Sequence, residues 1–185
     1  MTAPRAFISY RRSHSGAARS FKQQLHTLGY SYVFFDLDRN SGLKVGPFQY
    51  QLEKALAQVD VVFVLITDAP SGPKNDWRFE LSSTETMKQS HDKGLTDYCS
   101  VEITKAFAQG KLVVPLYPGG HGDAWIGKQL KYLTGLDSLK ELQSLMAYAL
   151  HDDQYANSVL TVDVHVREWM KISKPVTPRC HPPAT

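Results

Sequence analysis

Short apolar runs alternate with stretches of helical spacing along the chain. The apolar runs lie at Ala6–Ser9, Tyr32–Phe35, Val61–Ile66 and Leu112–Leu116, with a weaker run at Leu130–Leu136. The run "VVFVLI" has no polar position, which is typical of a strand covered on both faces of a sheet. Strands that alternate with helices favour parallel pairing. The pattern therefore predicts an α/β fold: a three-layer, flavodoxin-like, five-stranded parallel sheet with helices on both faces.

Local sequence predicts where several helices begin and end. Gly29 is placed to end the first helix, and Pro47 is placed to begin the second. Ser138, followed three residues later by Glu141, has the pattern of a capping box and predicts a helix over 139–150. The long stretch between the third strand and the helix near Asp97 contains "RFELSSTETMKQ", which favours one more helix.

The domain organisation follows from these elements. Residues 1–150 hold the alternation of strands and helices and are expected to form one domain. Residues 151–185 are expected to form a C-terminal extension, in which "VLTVDVHVREWMK" alternates weakly between apolar and polar positions. Its last part, "KPVTPRCHPPAT", is rich in proline and indicates a tail or a linker.

Charge and composition exclude several classes of partner. Lysine and arginine number 21 against 18 aspartates and glutamates, a balance that predicts no basic surface for nucleic acid or for an acidic membrane. No apolar run approaches the length of a membrane span, and the N-terminus lacks the pattern of a signal peptide. Cys99 and Cys180 lie far apart and have no metal-ligand spacing with the histidines. We therefore expect a cytoplasmic protein with no metal site.

Polar residues follow the predicted strands at the point where each strand ends. Tyr10, Arg11 and Arg12 follow the first strand, and Asp36 follows the second. The next loop, "LDRNSGLKVG", carries Lys44 between two glycines and is expected to act as a flap. Ligands of open parallel sheets bind beyond the carboxyl ends of the strands. The sequence thus predicts a local site for an anionic ligand at this edge of the sheet.

The stretch "DYCSVEITKAF" predicts a helix with a carboxyl group at the border of its buried face. At a helical repeat, Cys99 and Ile103 share the apolar face, and Glu102 falls at the edge of that face. Tyr98 lies one turn before Glu102 on the same side. A carboxylate at this position would be half-buried beside an aromatic ring; the alternative is a solvated side chain, which is the ordinary state of a lone glutamate on a helix.

Five motifs together give the sequence a family resemblance. "FISYRR", "VFFDLD", the glycine-containing flap, "ALAQVDVVFVLI" and "DYCSVEITKAFAQGKLVVPLY" follow in the order and approximate spacing of Toll/interleukin-1 receptor (TIR) domains. The resemblance covers about residues 4–150. The sequence most resembles the bacterial TIR proteins and the animal axon-degeneration TIR enzyme. The resemblance implies a five-stranded parallel sheet with flanking helices.

The resemblance also implies cleavage of NAD+, as a substrate rather than a cofactor, to nicotinamide and ADP-ribose or a cyclic ADP-ribose isomer. Glu102 matches the catalytic glutamate of enzymatic TIR domains. The implied substrate-binding residues are Tyr10, Arg11, Arg12, Asp36, Lys44 and Tyr98, the last at a position where many relatives have tryptophan. The implied setting is immune, anti-phage signalling or cell-suicide defence. TIR–TIR self-association and a separate sensor or effector protein are the implied partnerships.

The chemistry of NAD+ suits a site with a single carboxylate. Nicotinamide in NAD+ is a cation that leaves as a neutral molecule, so it needs no general acid, unlike the sugar oxygen in ordinary glycoside hydrolysis. Glu102 is expected to hold the ribose hydroxyls and to stabilise an oxocarbenium-like transition state. An arginine at a strand end is expected to bind the pyrophosphate.

Other interpretations of the same residues stay open. A non-catalytic TIR adaptor would act by TIR–TIR assembly through the flap and nearby helices. A phosphoacceptor receiver domain would use Asp36 and Asp38, but no second acid precedes "YRR" and no lysine ends the fourth strand. Arg11 or Arg12 would alternatively form a structural ion pair with one of these acids. Cys99 is expected to be a packed apolar residue, because no activating base lies near it.

Overall fold

The sheet has the predicted parallel architecture. The computed structural model describes residues 3–36, 48–69 and 80–173. The strands are β1 (Arg5–Ser9), β2 (Tyr32–Phe34), β3 (Val61–Leu65), β4 (Leu112–Pro118) and β5 (Tyr148–Leu150). All neighbours are parallel, in the order β2-β1-β3-β4-β5. The chain therefore leaves β1 toward one side of the sheet and returns to its other side, which places a topological switch point beside β1.

Helices cover both faces of the sheet, as predicted. They are α1 (Ser15–Thr27), α2 (Phe48–Ala57), α3 (Ser83–Asp92), α4 (Tyr98–Ala108), α5 (Asp123–Lys131) and α6 (Tyr155–Ser173). Helix α1 ends just before Gly29, whose positive φ of 84° suits a residue without a side chain. Helix α3 confirms the helix predicted within "RFELSSTETMKQ", and its N-terminus has the capping box of Ser82 and Glu85.

The two faces of β3 explain why this strand has no polar position. Val62 and Val64 pack in the core formed with α2, α3, α4 and α5. Val61 and Phe63 pack in the core formed with α1 and α6. Successive side chains of a strand point to opposite faces, so a strand between two helical layers is buried at every position.

The segment after α5 differs from the prediction. The expected strand at Leu130–Leu136 and the expected helix over 139–150 are both wrong: a 3-10 helix spans Lys140–Ser144 and the fifth strand is β5. Leucine recurs at every third position from residue 130 to 145, and each amide bonds the carbonyl of the leucine three residues before it. A repeat of three suits 3-10 turns, in which side chains three apart lie on one side.

The core also extends beyond residue 150. Val159, Val162 and Val166 on α6 are fully buried against the face of the sheet that α1 covers. The Arg167 guanidinium donates to the Leu28 carbonyl at 2.6 Å, which ties α6 to the end of α1. The segment expected to be a weakly alternating extension is therefore a helix that covers this face of the sheet. The proline-rich stretch 174–185 lies outside the described residues.

Candidate functional site

A cavity of about 620 Å³ lies beside the carboxyl end of β1. It is bordered by residues from the ends of β1 and β2, from α3 and from the start of α4. The lining residues are Tyr10, Arg11, Arg12, Asp36, Thr86, Ser90, Leu95, Thr96, Asp97, Tyr98, Cys99 and Glu102. The structure thus brings together all of the predicted site residues except Lys44, which lies outside the described residues together with the rest of the predicted flap.

Glu102 is positioned by the packing of α4. Cys99, Ile103 and Ala106 are buried against the sheet and fix the rotation of the helix about its axis. This rotation leaves Glu102 half-buried at the cavity, as the helical repeat predicted. The Ser9 hydroxyl donates a hydrogen bond of 2.6 Å to Glu102 Oε2. Within the described residues, Oε1 accepts no hydrogen bond, so one oxygen of the carboxyl group is held and the other is free for a ligand.

The surroundings of Glu102 disfavour its charged form. The pKa of Glu102 is raised to about 8, chiefly by burial; the Asp36 and Asp97 carboxylates add to the rise, and the hydrogen bond from Ser9 and the charge of Arg11 oppose it. A group with a pKa above 7 is mainly protonated at neutral pH. A cation bound beside Glu102 would favour the ionised form, because opposite charges stabilise one another at short range.

Arg11 is a structural link beneath the cavity. Its Nη1 lies 2.5 Å from Asp97 Oδ2, and its Nη2 donates to the Ser83 carbonyl at 3.2 Å. Asp97 is buried and also caps α4, because its Oδ1 accepts from the Ser100 amide at 2.8 Å. Arg11 therefore joins the end of β1 to the starts of both α3 and α4. This arrangement fixes the helix that carries Glu102.

Arg12, unlike Arg11, is mostly exposed to solvent. Its side chain is 68% exposed, and its Nε donates to Asp36 Oδ2 at 3.0 Å. In the described part of the chain, its two terminal nitrogens make no hydrogen bond. The Tyr10 hydroxyl donates to the other oxygen of Asp36, and its ring stacks on Phe35 with the centroids 5.0 Å apart. Asp36 thereby orients Arg12 while leaving its terminal nitrogens available to an anion.

Tyr98 and Cys99 differ sharply in exposure. Tyr98, at the first position of α4, is 55% exposed and borders the cavity. Cys99 is buried, and burial raises the pKa of its thiol. Its Sγ donates to the Tyr10 carbonyl at 3.5 Å. A protonated, packed thiol is inert, which agrees with the interpretation of Cys99 as an apolar core residue.

Several lining residues were missed in the sequence. Thr86 and Ser90 come from α3, and Leu95 and Thr96 come from the turn before α4. Ser9 was missed although strand periodicity could have found it: Phe7 packs in the core on the α4 side, and Ser9, two positions later, points to the same face. Asp68, which follows β3, does not line the cavity, and its Oδ2 lies 2.5 Å from His121 Nε2.

Among residues 3–36, 48–69 and 80–173, no group of three or more His, Cys, Asp or Glu side chains is arranged to hold a metal ion. In the same ranges, no helix combines the length and the apolar character needed to cross a membrane.

A parallel sheet with helices on both faces and a polar cavity at its switch point defines a doubly wound α/β domain. Among solved structures, the chain is similar to the TIR domains in the structure of the activated Roq1 resistosome directly recognizing the pathogen effector XopQ. The similarity has a TM-score of 0.53 and 11% sequence identity, and it covers 89% of this chain and 99% of that chain. The fold is therefore the TIR fold. No family model matches the sequence, and no curated protein matches it.

Proposed function

We propose that this protein cleaves the nicotinamide–ribose bond of NAD+ in the cavity beside β1. The observation that carries the proposal is the placement of Glu102, a single carboxyl group that lines the cavity and is held at one oxygen by Ser9. The volume of the cavity, about 620 Å³, is in the range of small-molecule and cofactor sites.

The polar groups of the cavity support one orientation of the dinucleotide. The pyrophosphate binds Arg12, because the terminal nitrogens of this exposed guanidinium bond to no described residue and the side chain is aligned by Asp36. The nicotinamide ring stacks on the exposed ring of Tyr98, one turn of α4 from Glu102. The ribose that joins these two groups then lies at Glu102. Arg11 contributes through the placement of α4, since its guanidinium is already committed to Asp97 and Ser83.

The reaction needs one carboxylate and no metal-bound nucleophile. The bond between C1′ and the ring nitrogen breaks, and its electron pair stays on nicotinamide, which becomes neutral. The ribosyl group gains oxocarbenium character, and the ionised Glu102 stabilises this positive charge in a poorly solvated position. Water then adds to C1′ and releases a proton, which gives ADP-ribose. Addition of a nucleophile from the same molecule gives a cyclic isomer instead.

We also propose that the protein self-associates. Assembly would support the NAD+ cleavage proposed above, or, in the alternative, would itself be the function. The similar TIR domains were solved in a resistosome, and α6 of this chain carries an exposed apolar row of Leu160, Val164 and Ile172. Such a row on one side of a helix is typical of a contact surface. Assembly would raise activity if it orders the site. In the alternative, a non-catalytic adaptor, the assembly itself is the function in immune or cell-suicide signalling.

The proposal is tested by measuring nicotinamide release from NAD+ at several protein concentrations. We expect Glu102→Gln to reduce the rate by at least about a hundredfold, the usual effect of removing a group that stabilises transition-state charge. Glu141→Gln is a matched control, because Glu141 is exposed on the 3-10 helix after α5 and does not line the cavity. Equal rates for the wild type and Glu102→Gln would refute the catalytic role. Assembly without nicotinamide release at any concentration would favour the adaptor.

A further inference from the structure

We propose that Ser9 is a positioning residue for the Glu102 carboxyl group: its hydroxyl holds Oε2, so that Oε1 is directed to the ligand. The catalytic consequence rests on the proposed function, whereas the positioning itself does not. Ser9 lies on the strand beneath the cavity, outside the set of residues that line it.

Ser9 sits on a rigid part of the fold. It is the last residue of β1, pairs with Val64 of β3, and is 1% exposed. Its neighbours in the sheet fix the direction of its side chain toward α4, the same direction as that of Phe7. The hydroxyl therefore offers Glu102 a partner whose position changes little when a ligand enters the cavity.

The contact with Glu102 is short and directional. The distance of 2.6 Å from Ser9 Oγ to Glu102 Oε2 is that of a hydrogen bond to a charged acceptor. A hydroxyl has a single proton to donate, so this bond favours the ionised carboxylate. The packing of α4 fixes the helix but not the orientation of the Glu102 carboxyl group. Without the hydrogen bond from Ser9, this group would rotate and neither oxygen would keep its position.

Other groups near Glu102 do not replace this bond. Asp36 and Asp97 carry the same charge as the carboxylate and disfavour it, and Arg11, the favourable charge, is bound to Asp97. The Cys99 thiol, on the same helix, donates to a backbone carbonyl. In the described residues, Ser9 thus supplies the one hydrogen bond that Glu102 receives.

The test compares the titration of Glu102 in the wild type and in Ser9→Ala. The carboxyl carbon is followed by NMR in the absence of NAD+, with Glu102→Gln identifying its resonance. Loss of a hydrogen bond to a charged group should move the midpoint upward by about one pH unit. Ser9→Thr, which keeps the hydroxyl, should return the midpoint to the wild-type value. Ser9→Cys, with a weaker donor, repeats the test if Ser9→Ala does not fold.

Kinetics supply the second readout. We expect Ser9→Ala to lower kcat for NAD+ cleavage about tenfold with a smaller change in KM, since the bond matters most when charge develops. The inflection of kcat/KM with pH should move upward with the NMR midpoint. Coincident midpoints in the wild type, Ser9→Ala and Ser9→Cys would overturn the inference. A wild type that cleaves no NAD+ would overturn the proposed function instead, and the NMR midpoints would still decide the role of Ser9.

Discussion

Glu102→Gln should stabilise the folded protein at alkaline pH, because the native fold holds this carboxyl group in surroundings that disfavour its charge. The ordinary pKa of 4.5 applies to the unfolded chain, and the folded value is about 8. The folded state therefore binds the proton more tightly than the unfolded state does. The contribution of Glu102 to the unfolding free energy is largest at pH values below the unfolded-state pKa. It falls as the pH rises toward the folded-state pKa, and above that pKa it is constant.

The size of this stability difference follows from the difference between the folded-state and unfolded-state pKa values of Glu102. Each pH unit between them is equivalent to about 1.4 kcal/mol, so the wild type loses up to about 5 kcal/mol of unfolding free energy on ionisation of Glu102. Glutamine does not ionise, and its carbonyl oxygen can still accept the hydrogen bond from Ser9. The variant and the wild type should thus be similarly stable near pH 4.5, with the variant progressively more stable up to about pH 8.

Urea denaturation from about pH 5 to about pH 9 measures this difference directly. In thermal melts, a full difference at alkaline pH would correspond to roughly 10–20 °C in Tm for a chain of this length. Other ionisable groups titrate in both proteins and cancel in the comparison. Glu141→Gln, which removes an exposed carboxylate, should differ little in stability from the wild type across this pH range. If the unfolding free energy of Glu102→Gln differs from that of the wild type as little as the control does, and does not change with pH, the reasoning is refuted.

Three further predictions concern neighbouring positions. Arg11→Met should cost about 3 kcal/mol in urea denaturation, because it leaves a buried carboxylate without its partner; a loss below about 0.5 kcal/mol would contradict the structural link. Arg12→Ala should change stability by less than about 1 kcal/mol and raise KM for NAD+ about tenfold; an unchanged KM would remove Arg12 from the site. Gly119→Ala should lower Tm, because a Cβ there would lie 2.4 Å from the His151 Cα, and a wild-type Tm would show that this contact relaxes freely.

Sequence patterns predicted much of the fold because they report burial. Four of the five strands followed from apolar runs, since both faces of the sheet are covered and the central strand has no polar position. The fifth strand was misplaced because β5 has only three residues. The leucine repeat before it forms 3-10 turns, but its apolar positions resemble those of a strand and of an α-helix. Helix α6 was hidden for a related reason: its valines are typical of strands, and alternate positions near Val162 and Val164 resemble a strand pattern.

The candidate site was predicted to the extent that it depends on strand ends and helix periodicity. Tyr10, Arg11 and Arg12 meet Glu102 because β1 ends where α4 begins. The sequence did not separate the roles of Arg11 and Arg12, because the two side chains differ in solvent exposure and in the residues that the fold brings near them. Strand periodicity gives the face of the sheet on which Ser9 lies, but not its contact with Glu102, which joins residues 93 positions apart.

The central claim is that the ionised Glu102 cleaves NAD+ in the cavity beside β1. The pH dependence of kcat/KM for nicotinamide release, measured from about pH 6 to about pH 9 for the wild type and Glu102→Gln, tests it most directly. The account predicts a wild-type rate that rises with pH and levels off above about 8, the pKa of this carboxyl group, and a variant rate near zero throughout. Nicotinamide release by Glu102→Gln at the wild-type rate and with the same pH dependence would contradict it.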